Sequence, residues 1–239
     1  MVLSVFRRWW FPNAWVPHAW RRKTRQDFVL REWDVLLHGL RQHASARLAD
    51  AGDALRAGEL STAQERVRND YLWALEAYDA AGKLFDEAVD LPDLAAVVVL
   101  AERSVERLEM VLARQSGKRA APPIRRCFYN PLHPVAVIPG PRRRRRGRGG
   151  PRQAAADRHP ACADCRRAIL AGGRPDILPA LVPVRTSRRR TAKVLVPYYA
   201  VPQQWSLWST TACGAWDDDC PALVLRGEHR RRAAARKPG

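Results

Sequence analysis

The sequence predicts an α+β protein: an antiparallel helical hairpin or three-helix bundle followed by a small β-rich, zinc-finger-like domain. Three observations carry this. Apolar residues in the first half recur at steps of three and four, the spacing that puts them on one helix face. A double proline, Pro122-Pro123, then ends that regime. Beyond it, cysteines and histidines sit at ligand-like spacings among short stretches rich in β-branched and aromatic residues.

The charge is distributed to match. The 239 residues carry a formal net charge of +18. Residues 1–25 hold six basic groups and no acid. Residues 26–117 hold 10 basic against 17 acidic groups, a net of −7, and residues 118–239 a net of +19. An acidic helical middle is thus flanked by basic ends. A basic surface attracts nucleic acid or anionic lipid, or it docks on the acidic middle itself.

The basic segment 1–25 interleaves Trp9, Trp10, Trp15 and Trp20 with Arg7, Arg8, Arg21, Arg22 and Lys23. Tryptophan beside arginine suits an anionic headgroup layer. Pro12 and Pro17 argue against one continuous amphipathic helix, and the competing expectation is a tail packed back onto the helices. No apolar run reaches the roughly 18 residues that span a bilayer. No secretory signal is evident in the first residues either. The expected location is cytoplasmic, with peripheral membrane attachment as an alternative.

The coiled-coil-like region 26–117 reads as three helices. The first runs from about Arg25 to about Ala57 with Trp33, Leu36, Leu37, Leu40, Ala44, Leu48, Ala51 and Leu55 on its apolar face. The second runs from about Glu59 to Ala88, its seam carried by Val67, Tyr71, Ala74, Tyr78, Ala81 and Phe85. The third starts near Asp90, with Pro92 in the first turn where a missing N–H costs little, and stops at Gly117. Short connections make neighbouring helices antiparallel. Nothing polar repeats at helical spacing along the seams, so they read as packing surface. The helices also offer a surface for a protein partner or for self-association.

Residues 118–126 form a proline-containing linker. The domain expected at 127–226 opens on CFYNPLH and later carries HPACADC. Cys127, His133, Cys162 and Cys165 are the predicted metal ligands. Thiolate and imidazole are the donors zinc prefers, and a Cys-x2-Cys pair at a helix start completes a tetrahedron begun elsewhere. His159 rivals His133 as the fourth ligand. Free buried thiols and a Cys127–Cys162 disulfide are the competing expectations. Four protein donors would leave no open position for water, so the zinc is read as structural. Cys213 and Cys220, beside Asp217, Asp218 and Asp219, lack a nearby histidine, and the acidic run reads as a solvated turn.

This layout resembles a treble-clef zinc finger. More narrowly, CFYNPLH, HPACADC and VLVPYYAVPQQWSLWSTTACGAW resemble an uncharacterised actinobacterial family in which a CF-NP-H segment follows a helical region. The resemblance covers roughly the last half of the chain and part of the helices. It implies no activity, and it implies a membrane-spanning segment that no stretch here is long enough to supply.

Val135–Ile138, Thr191–Val201, Trp205–Thr211 and Ala222–Leu225 read as strands, and residues 227–239 as a disordered basic tail. Arginine runs at Arg142, Arg143, Arg144, Arg145 and Arg146 and at Arg188, Arg189 and Arg190 offer phosphate contacts. Nucleic-acid binding of low sequence selectivity is therefore the first alternative to an interaction scaffold. Tyr198, Tyr199, Trp205, Trp208 and Trp216 are either its stacking platform or a core of large rings. The phosphate-binding, nucleophile-elbow and zinc-protease motifs are absent, so nothing in the sequence supports an enzyme.

Overall fold

A computed structural model describes residues 23–58, 65–133, 158–187 and 190–236. It is mostly helical with one two-stranded antiparallel sheet, in keeping with the α+β expectation. Three long helices come first: α1 (Lys23–Ala57), α2 (Glu65–Glu87) and α3 (Leu91–Gln115). They are followed by α4 (Ala163–Leu170), β1 (Pro179–Ser187), β2 (Arg190–Pro197), α5 (Trp208–Thr211), α6 (Cys220–Leu225) and α7 (Glu228–Ala234). No helix among the described residues is long and apolar enough to cross a membrane.

Helix α3 is the axis of the molecule. Leu94 through Ala101 is buried without a break, so this helix is covered on every side rather than along one stripe. Helices α1 and α2 cover part of it, and the sheet and α5 cover more. One cluster of buried side chains therefore draws on both halves of the chain, from Trp33, Ala44, Leu84 and Leu94 to Ala180, Tyr198, Trp208 and Val224. At its start, Asp90 caps the helix in a reciprocal capping box with Asp93, and Pro92 sits in the first turn.

Asp90 also reaches across to the second half. Its carboxylate accepts from Leu181 N–H at 3.4 Å and pairs with Arg236 at 3.6 Å. Burial and the neighbouring Asp93 push its pKa up to about 7, against the opposing pull of Arg236. Asp93 in turn accepts from the buried Trp208 indole at 2.6 Å. Further along α3, Arg103 lies over the Trp73 ring and bonds Asp218 and the Gly214 carbonyl. Gly214 has φ +82, and a Cβ there would stand 3.0 Å from Leu100 Cδ2 and 3.2 Å from Cys220 Sγ. The chain closes on α3 at this point only because glycine occupies it.

Several local expectations are corrected. Trp205–Thr211 is not a strand: Gln203–Trp205 is a 3₁₀ turn and Trp208–Thr211 a helical turn. Residues 222–225 belong to α6, whose Pro221 sits in the first turn. The basic tail is ordered over Glu228–Ala234, held by His229 and Arg230 on Glu87 and by Arg236 on Asp90. Asp218 is not simply solvated, since Arg103 and Arg107 both pair with it. The sheet begins earlier than expected, at Pro179, because the proline-broken run before the arginines pairs with 190–197. The strand expected at Val135–Ile138 lies outside the described residues.

Candidate metal centre

Three separate segments build the centre. The first is the turn 127–133. Asn130 Oδ1 accepts from Leu132 N–H at 3.2 Å and its carbonyl from His133 N–H at 3.0 Å. This Asx-type turn, completed by Pro131, folds His133 back beside Cys127. The second is α4. Cys162 is its N-cap, and its Sγ accepts from Cys165 N–H at 3.4 Å. A thiolate is favoured there by the helix terminus as well as by any bound cation. The third is the stretch after α4, which supplies Asp176. The segments are tied by Phe128 N–H to Pro160 O at 2.8 Å and Leu178 N–H to Tyr129 O at 2.9 Å.

The donor atoms of Cys127, His133, Cys162 and Cys165 all lie within 4.8 Å of one another. His133 Nδ1 is 3.3 Å from Cys162 Sγ and 3.5 Å from Cys165 Sγ. In a tetrahedron with zinc–donor distances of about 2.0–2.3 Å, nitrogen and sulfur stand about 3.5 Å apart, so the observed spacing suits such an ion. His133 Nε2 donates to Asp176 Oδ2 at 3.0 Å. That bond fixes the ring and leaves Nδ1 facing the sulfurs, the carboxylate–histidine arrangement that supports a metal ligand. The three thiols are buried and His133 is partly buried. All five cysteines of the chain are free, so the expected alternative of a Cys127–Cys162 disulfide is not what is found.

The electrostatics show what the cluster lacks in charge. Burial opposes an imidazolium at His133, but hydrogen bonds to Asp176, Cys127 and Cys162 outweigh it and push the pKa up to about 11. Hydrogen bonds from Cys127 and Cys165 pull the Cys162 thiol far down. Cys165, facing those two sulfurs, is pushed up. A divalent ion placed among these three buried sulfurs would supply the positive centre that favours their ionised form.

His159 is placed elsewhere. Its ring stacks on Phe128 with centroids 3.8 Å apart, and it is not among the grouped donors. Tyr199 and Trp216 extend that stack on Phe128 at 4.6 and 5.6 Å. Tyr198 and Trp208 are core residues, whereas Trp216 is 44% exposed. Cys213 and Cys220 are buried in the main core, apart from the metal cluster. Arg142–Arg146, Arg188 and Arg189 lie outside the described residues, as do the tryptophans of segment 1–22, and Arg190 opens β2.

Sequence reasoning missed Asp176 and Arg126. Arg126 directly precedes Cys127, is 4% exposed, and pairs with Glu102 at 2.5 Å and Glu106 at 3.0 Å. Burial raises the Glu106 pKa, and Arg126 opposes that shift. Glu102 and Glu106 stand four apart on one face of α3, and that pairing was the available signal for a cation arriving from outside. Asp176 sits in an aperiodic stretch, GGRPDILP, and offered none.

Comparison of the chain with protein-family models, with curated proteins and with solved structures finds no match.

Proposed function

We propose that this is a non-enzymatic interaction protein in which a structural zinc ion, held by Cys127, His133, Cys162 and Cys165, fastens the basic half to the acidic helices. The observation that carries it is the convergence of four soft and borderline donors from distant parts of the chain, with Asp176 behind the histidine. Four protein donors in a buried site leave no position for a reacting water, which favours a structural over a catalytic ion. The ion would neutralise the thiolates and replace an apolar core that the turn and α4 are too small to build. Arg126, one residue before the first ligand, transmits that fastening to α3 through its two glutamates. The remaining helix surface is then available to a protein partner or a second copy.

Elemental analysis of the purified chain tests the proposal. About one zinc per chain is expected, lost on Cys162→Ser together with a lowered melting temperature. A metal-free protein whose melting temperature is unchanged in that variant overturns it.

A further inference from the structure

The two edges of the β1–β2 ribbon differ. Tyr198 N–H donates to Leu178 O at 3.0 Å just beyond the ribbon. In the register Ala180↔Val196, Val182↔Val194, Val184↔Ala192, the even-numbered residues therefore bond one another and the odd-numbered ones point their backbone groups outward. On β1 the outward positions include Pro179 and Pro183, which have no N–H, and Leu181, whose N–H is taken by Asp90. That edge is sealed.

On β2 the outward positions are Thr191, Lys193 and Leu195. Their N–H and C=O groups have no partner among the described residues. Thr191 and Lys193 are exposed, while Ala192 and Val194 are buried on the inner face and fix the strand in place. Residues 190–196 contain no proline. The edge is therefore a preset row of about six backbone hydrogen-bonding groups.

We propose that the outer edge of β2 receives an extended acidic peptide segment as a third, antiparallel strand. Backbone pairing would supply the affinity and the surrounding charge the choice of partner. In the sequence, residues 185–193 include five basic residues and no acid, and Lys193, on the outward edge itself, is exposed. A second copy is the poorer occupant. Twofold antiparallel pairing would set Lys193 against Lys193 or one step from it, like charge against like. The site does not involve the metal ligands, so it stands or falls separately from the zinc proposal.

The test uses the full chain and a fluorescein-labelled peptide of sequence TEVEVET, read by anisotropy at low and moderate salt. A second peptide with the same charge, N-methylated at alternate residues, lacks the donors for strand pairing and leaves the protein untouched. The expected result is binding of the first peptide, weakened about tenfold by N-methylation and by Thr191→Pro, and about fivefold by Lys193→Glu. No binding of TEVEVET overturns the proposal. So does equal binding of the N-methylated peptide, which would mean attraction by charge alone. Dimerisation of the free chain that Thr191→Pro abolishes would assign the edge to a second copy and also overturn it.

Discussion

Around α3 the chain buries Val97, Val98, Val99 and Leu100 in succession, whereas at the ligand turn the buried cluster is Cys127, Ala161, Cys162 and Cys165. The first region excludes water with branched hydrocarbon from both halves of the chain. The second has almost no hydrocarbon to offer and concentrates electron-pair donors instead. One region is stabilised by area removed from water; under the proposed function the other would be stabilised by coordination. The difference teaches that these parts should respond to different reagents.

The sharpest way to break this comparison is a strong chelator. Withdrawal of the metal should abolish amide-exchange protection at 127–133 and in α4 while α2 and α3 keep theirs, as read by hydrogen exchange. Equal loss in both regions would mean that the helical core also depends on the ion. Next in size, Leu100→Ala should lower stability by about 4 kcal/mol, since it opens a cavity where α3 meets Gly214. Denaturant unfolding would measure this, and metal content should stay the same.

Arg126→Met probes the joint between the two regions. It leaves Glu106 partly buried without its cation and should cost about 3 kcal/mol at neutral pH. Restoration in the triple variant with Glu102→Gln and Glu106→Gln would show that unpaired charge, rather than lost packing, is responsible.

The smallest expected effect concerns Asp90. Its folded pKa of about 7 stands above the ordinary value of 3.8. Between these values the folded chain holds more protons than the unfolded one, so this group's contribution to stability falls as pH rises from about 4 to about 7. Asp90→Asn keeps a side-chain oxygen for the helix cap. It should flatten that slope and raise stability at pH 8 by on the order of 1 kcal/mol. Thermal melts at a series of pH values would show it, and an unchanged slope would mean that Asp90 titrates normally.

The helices were legible because a step of three or four writes burial directly into the residue order, and Asp90, Pro92 and Gly117 mark ends by local chemistry. The four donors were legible because cysteine and histidine are scarce and their spacing is short within each pair. Strand positions were harder. Pro179 and Pro183 disguise β1, since proline is tolerated where its missing N–H would point outward. Trp208 looked like a strand or platform residue, but its indole needed a buried acceptor and found Asp93. Such partners, like Asp176 for His133, are set by tertiary geometry that no local pattern records.

The sealed β1 edge carries a further consequence. A ribbon that stacks into fibrils needs two receptive sides, one to accept a neighbour and one to be accepted. With prolines and a carboxylate guarding one side, head-to-tail growth through this sheet has no second edge to use, so a strand received on β2 would end the sheet rather than seed a longer one.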